Sequence, residues 1–159
     1  MWFAIIAGLA ILGGAIWYGM KQHNKLVGEG KIISRRTNFM ESAEIFTLNP
    51  PDPAAVTAGV KAFDYSDMHT SMKGSSEKQF YQFTGGSFGA KLAKQADTPE
   101  GKAVYRFEFT NWKTHNGMPR DAMDMNKLTT AVEKLFVSLD PNTQVSTQAL
   151  EFKTKHSIL

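Results

Sequence analysis

The alternation of apolar and polar residues in the second half of the chain predicts β-strands. Over residues 102–112, Tyr105, Phe107 and Phe109 occupy every second position, and Arg106 and Glu108 lie between them. This period of two is typical of a strand that buries one face and exposes the other. We therefore expect 102–112 to lie in an antiparallel sheet.

Four further strands are predicted, two of them around turn-forming residues. The segments 77–84 and 87–94 flank Gly85-Gly86, a dipeptide that readily adopts the positive φ angles of a two-residue hairpin turn. The turn therefore predicts that the two segments pair with each other, and the alternation of Phe88, Ala90 and Leu92 gives the second segment one inward face. The first and last strands of the domain are predicted at 43–48 and 147–155.

Two helices are predicted from apolar residues that recur every three or four positions. The first begins at Asp52-Pro53, because Asp is a favourable N-cap and Pro suits the first helical position; it is expected to continue to Tyr65. The second covers 121–139, and its acidic first turn favours a helix start. Its predicted buried stripe consists of Met125, Leu128, Val132, Leu135, Phe136 and Leu139.

The predicted element order is therefore β-α-β-β-β-α-β, with the three central strands antiparallel because short turns connect them. Packing both helices on one face of the sheet buries the apolar side of every element with the fewest layers. We expect an α+β fold: a two-layer domain over residues 37–159, preceded by an N-terminal transmembrane helix.

The N-terminal segment is apolar and carries aromatic residues at both ends. Residues 2–19 contain no charged side chain, and 18 helical residues span about 27 Å, close to the thickness of a bilayer core. Trp2 and Phe3 at one end and Trp17 and Tyr18 at the other match the aromatic belts of membrane interfaces. We predict a single transmembrane helix over 1–20. A cleaved signal peptide is the alternative, but no Lys or Arg precedes the apolar run.

The basic residues of the chain are concentrated next to this segment. The net charge is +3, but residues 21–36 hold five basic side chains against the single acidic Glu29, so the remaining 37–159 has 13 basic and 14 acidic groups. The predicted membrane-surface residues of this basic linker, 21–36, are Lys21, Lys25, Lys31, Arg35 and Arg36. They would contact anionic lipid headgroups and place the folded domain in the cytoplasm. A nearly neutral domain gives no indication of nucleic-acid binding.

Candidate catalytic residues are few. The chain has no Cys, which excludes disulfides, thiolate nucleophiles and Cys-based metal centres. Asp64, Asp67 and His69 have a spacing that could ligate a divalent metal, although the same residues suit a turn after a helix. No cofactor is predicted, and a metal-dependent hydrolase acting close to the membrane is retained only as an alternative.

A candidate interaction site is predicted where the strand 102–112 ends. Trp112, Lys113 and His115 combine an aromatic ring, a cation and an imidazole in front of a loop, and Trp is enriched in interaction hot spots. The opposing interpretation is that Trp112 covers the edge of the core and that Asn116-Gly117 forms an ordinary turn.

The sequence as a whole predicts a membrane-anchored, non-enzymatic binding or scaffold module, with lipid and a protein as partners. An accessory subunit of a membrane complex is the second alternative.

Overall fold

The chain divides into two compact units, Met1–Ser34 and Arg35–Leu159. A computed structural model describes residues 18–33 and 39–150. In the first unit, residues 18–28 form helix α1, so the N-terminal half of the predicted linker is helical. Lys25 in α1 lies 3.8 Å from Glu29, and Lys31 lies 4.0 Å from the same carboxylate.

The structure contradicts two predictions made from the sequence, the transmembrane helix and the single-pass membrane localisation. Across residues 18–33 and 39–150, no helix is both long enough and apolar enough to cross a membrane. Of the predicted span only Tyr18 and Gly19 are described, and they belong to α1, whose next turn contains Lys21 and His23. Ionisable side chains are costly in a bilayer core. Residues 2–17 lie outside the described residues. The predicted cytoplasmic placement of the folded domain depended on a transmembrane anchor, so it is no longer supported.

The second unit is an α+β structure with one main antiparallel sheet, which confirms the fold class predicted for the folded domain. Within residues 39–150, six strands pair in the order β2-β3-β4-β5-β1-β8, and β6 and β7 form a separate ribbon. The element bounds are a 3₁₀ turn Phe39–Glu41, β1 Ser42–Leu48, α2 Pro53–Lys61, β2 Thr70–Ser75, β3 Phe80–Gly85, β4 Phe88–Lys94, β5 Ala103–Trp112, β6 Thr114–His115, β7 Met118–Pro119, α3 Ala122–Leu139 and β8 Gln144–Ala149.

Helices α2 and α3 cover one face of this sheet, as the sequence predicts. Phe46 in β1 lies opposite Tyr105 in β5, and both rings contact Phe136 of α3 at a centroid distance of 4.7 Å. From α2, the hydroxyl of Thr57 lies 2.7 Å from that of Tyr81 in β3. These side chains belong to a single buried core, so within residues 39–150 both helices pack on the same face of the sheet.

The predicted strand order lacks β2, and this is its main error within the domain. The stretch 66–78 reads as a polar loop because Met72 is its only apolar residue apart from Met68. In the structure, Thr70–Ser75 pairs antiparallel with β3 along its whole length, with Met72 opposite Phe83. An edge strand needs little apolar surface when a neighbouring strand supplies its hydrogen bonds, so local composition does not reveal it.

Helix α2 begins where predicted and ends about one turn earlier. The Asp52 carboxylate accepts a hydrogen bond from the Ala54 amide at 2.9 Å, which confirms the N-cap. The helix ends at Lys61. One of its last carbonyl groups, that of Val60, accepts a hydrogen bond from the Tyr65 hydroxyl at 2.6 Å, which satisfies a group that the helix end leaves without a helical partner.

The β3–β4 hairpin is confirmed, but its turn does not use the predicted positive φ angles. Glycines with positive φ among the described residues are Gly30, Gly101 and Gly117. Gly85 is instead required for space, since a Cβ there would lie 2.4 Å from Cε1 of the Phe88 ring. The aromatic core residue therefore determines the need for glycine at this turn.

Candidate functional site

A polar hollow of about 340 Å³ lies on the face of the sheet opposite α2 and α3. Side chains alternate between the two faces of a strand, so the neighbours of the core residues Phe83 and Phe107 point to this open side. One row of paired residues crosses four strands here: Lys73 on β2, Gln82 on β3, Lys91 on β4 and Glu108 on β5. The first three of them line the hollow.

A β-bulge in β5 shapes the far wall of the hollow. Ala90 pairs with Phe109, but the preceding Gly89 pairs with Asn111, so Thr110 is the extra residue of the bulge. Thr110 and Asn111 both line the hollow. A Cβ at Gly89 would lie 2.7 Å from Nδ2 of Asn111 and 3.0 Å from Oγ1 of Thr110, so a larger residue here would displace the ends of these two side chains.

The charges beside the hollow form a connected group around one carboxylate. Oε1 of Glu108 lies 2.7 Å from Nζ of Lys91, and its Oε2 accepts a hydrogen bond from Nε of Arg106 at 2.6 Å. Nη1 of Arg106 in turn donates to Oε1 of Gln148 on β8 at 2.5 Å. Lys73 is exposed at the rim, so this group of residues holds three cations and one carboxylate and carries a positive charge.

The pKa of Glu108 is lowered by its two cationic neighbours. Burial of the carboxyl opposes ionisation, but hydrogen bonds from Lys91 and Arg106 outweigh it and bring the pKa below the usual 4.5. The carboxylate is therefore ionised at neutral pH, and it holds the ends of the Lys91 and Arg106 side chains in place over the sheet.

This lowered pKa predicts an acid-dependent loss of stability. The stabilisation is present above the pKa of the unfolded state and is lost as the pH falls through the lower pKa of the folded state. We expect the urea midpoint of the wild-type protein to fall more steeply between about pH 5 and pH 3 than that of Glu108→Gln. Glu100→Gln, at an exposed position, is the control and should retain the wild-type slope; equal slopes for all three proteins would contradict the assignment.

The predicted metal ligands do not converge on one site. Oδ1 of Asp64 accepts the Asp67 amide at 3.0 Å, while Nδ1 of His69 lies 3.0 Å from Oδ2 of Asp124 in α3. Nζ of Lys127 lies 3.4 Å from Oδ2 of Asp67 and 3.5 Å from Oδ1 of Asp124. A lysine ammonium thus provides the positive charge between these carboxylates. In the parts of the chain that the structure describes, no group of three or more His, Asp or Glu side chains is arranged to hold a metal.

The candidate interaction residues after β5 have different environments. The bulge places Trp112 opposite Phe88, and its ring packs against the hydrophobic core, as the core-edge interpretation expects. Lys113 and His115 are exposed. The loop that follows is the β6–β7 ribbon, turned by Asn116 and Gly117 with φ angles of 50° and 77°. A role of this ribbon in recognition stays a prediction.

The residues predicted to contact the membrane are described only in part. Tyr18 is 60% exposed, and its hydroxyl accepts a hydrogen bond from Gln22 at 2.9 Å. Lys21, Lys25 and Lys31 lie in or just after α1. The remaining predicted contacts lie outside the described residues: Trp2, Phe3, Trp17, Arg35 and Arg36.

Sequence reasoning did not identify the hollow, although one signal for it was present. Charged residues of both signs occupy the polar side of adjacent strands, Lys91 on β4 and Arg106 and Glu108 on β5. This pattern predicts an ion-paired open face once the register between strands is known. Lys73 gave no such signal, because β2 is not predicted as a strand.

We compared the chain with protein-family models, with curated proteins and with solved structures. None of the three comparisons found a match.

Proposed function

We propose that this protein is a non-enzymatic binding module that recognises an acidic segment of a partner protein on the open face of its sheet. The observation that carries the proposal is the polar hollow across β2 to β5, on the face opposite the helices. Polar groups held on strands are better ordered than groups on loops, and a row of them across a sheet face can serve as a recognition surface.

The side chains around the hollow favour an anionic partner. Its two charged lining residues are Lys73 and Lys91. The other polar lining residues carry amides or hydroxyls, which can hydrogen-bond to a peptide backbone: Gln82, Thr84, Thr110 and Asn111. Because the hollow is open to solvent and lies across several strands, an extended peptide segment fits it better than a small molecule that needs enclosure.

The composition of the hollow also favours binding over catalysis. Among the described residues that line it, none is a His, Asp, Glu or Ser. The nearby Glu108 is engaged by Lys91 and Arg106 and has a lowered pKa, which makes it a poor general base near neutral pH.

A titration of the full-length protein with a hexaglutamate peptide tests the proposal. Followed by amide chemical shifts, the peptide is expected to shift the signals of Gln82, Lys91 and Thr110, whereas hexalysine should not. Lys73→Glu replaces attraction by repulsion at the rim and should weaken binding about fivefold, equivalent to about 1 kcal/mol.

Lys78→Glu is the matched control, since Lys78 is an exposed lysine in the β2–β3 turn that does not line the hollow. It should leave the affinity unchanged. If Lys78→Glu weakens binding as much as Lys73→Glu, the attraction is a general charge effect and the proposed site is wrong. Absence of shifts at the hollow would also contradict the proposal.

A further inference from the structure

Strand β8 forms one edge of the main sheet, and its composition lacks the usual protection of an edge. All six residues of Gln144–Ala149 are exposed, and within the described residues β1 is the strand that pairs with it. Native edge strands are commonly protected by charged residues, proline or bulges. The sequence QVSTQA contains no charged residue and no proline, whereas the opposite edge, β2, carries Lys73.

The hydrogen bonds to β1 determine which backbone groups of β8 are available for a partner. The Leu150 amide donates to the Glu41 carbonyl at 2.8 Å. In an antiparallel pair, alternate residues direct both of their backbone groups to the same neighbour. Residues 144, 146 and 148 therefore bond to β1, and Val145, Thr147 and Ala149 direct their amide and carbonyl groups away from the sheet.

These outward groups and the side chains beside them are self-complementary. If a second β8 pairs antiparallel about Thr147, the two threonines lie opposite each other, and Val145 lies opposite Ala149 of the other copy. Val145 is 40% exposed and lies beside Phe46 on the helical side of the sheet. On the open side, Ser146 would lie opposite Gln148. No like charges meet, and polar and apolar pairs match across the two-fold axis.

We infer that β8 is a dimerisation edge through which two copies of this chain join their sheets antiparallel about Thr147. The arrangement is isologous, so it closes after two copies and leaves no further β8 edge. The polar hollow lies across β2 to β5, and dimerisation leaves it accessible. A strand pair buries less surface than a standard interface, and the dimer is therefore expected to be weak, with dissociation at about 10 to 100 micromolar.

Sedimentation equilibrium of the full-length protein from about 5 to 500 micromolar tests this inference. The wild-type protein should change from monomer to dimer over this range. Thr147→Pro removes an outward donor without removing a hydrogen bond to β1, and it should weaken the dimer at least about tenfold. Thr147→Ala keeps the donor and is the matched control, with wild-type dimerisation. A wild-type protein that is monomeric throughout, or a Thr147→Pro variant that dimerises normally, would overturn the inference.

Amide hydrogen exchange of the wild-type protein gives a second test that does not depend on the proline variant folding. Protection of Val145, Thr147 and Ala149 should increase with protein concentration, whereas Ser146 and Gln148 should be protected at every concentration. Strong protection of the outward amides already in dilute solution would show that another part of the chain covers this edge, and it would refute the dimer.

Discussion

Replacing Val132 by Asp is expected to abolish the cooperative unfolding transition of the sheet-and-helix unit. Val132 lies on the buried side of α3, is completely inaccessible to solvent and belongs to the hydrophobic core. An unpaired carboxylate in such a site costs several kcal/mol. Typical domains are stable by about 5–15 kcal/mol in total, so one buried charge removes much or all of that free energy. Circular dichroism during urea titration measures the outcome.

Val137→Asp provides the matched control for this prediction. It introduces the same side chain into the same helix, but Val137 is 43% exposed, and the carboxylate can remain hydrated. We expect a change of less than about 1 kcal/mol. A Val132→Asp protein with a wild-type transition would mean that α3 does not pack on the sheet in the way described.

Replacing Phe136 by Ala is expected to destabilise the unit by about 3–5 kcal/mol. The Phe136 ring is completely buried and stacks on Phe46 of β1, with a second contact to Tyr105 of β5. Truncation removes both aromatic contacts and leaves a cavity at the point where α3 joins the two strands. Urea unfolding at neutral pH measures the change in free energy.

Phe63→Ala tests whether this effect depends on burial. Phe63 is only partly buried, beside the core, and its loss is expected to cost about 1–2 kcal/mol. Phe136→Leu should fall between wild type and Phe136→Ala because it retains part of the volume. If the two alanine variants are equally stable, the stacked cluster around Phe136 does not anchor α3.

The candidate site was less predictable than the fold because it depends on pairing between strands. The alternation in β5 correctly separates Phe107 from Glu108, but if it continued unbroken it would put Trp112 on the polar side. The bulge at Thr110 instead turns the ring toward the core. A single extra residue in a strand shifts every later side chain to the other face, and no pattern within β5 itself reveals it.

The same limit applies to the predicted metal ligands, which the structure does not bring together around one point. Asp64, Asp67 and His69 are close in sequence, and spacing alone suggests a shared ligand. The partners that occupy them are on α3, where Asp124 contacts His69 and Lys127 contacts Asp67. These residues lie more than fifty positions away in the chain, and only the packing of the loop against the helix brings them together.

The sequence by itself determined the elements that are specified by local chemistry and by strong periodicity. The Asp52-Pro53 helix start, the buried stripe of α3 and the alternation of β5 follow from capping, helical period and strand period. The tertiary structure alone decided that 70–75 is a strand and that Lys73, Lys91 and Asn111 meet at one hollow. Such features depend on hydrogen bonds and register supplied by residues distant in sequence, and those constraints do not exist until the chain has folded.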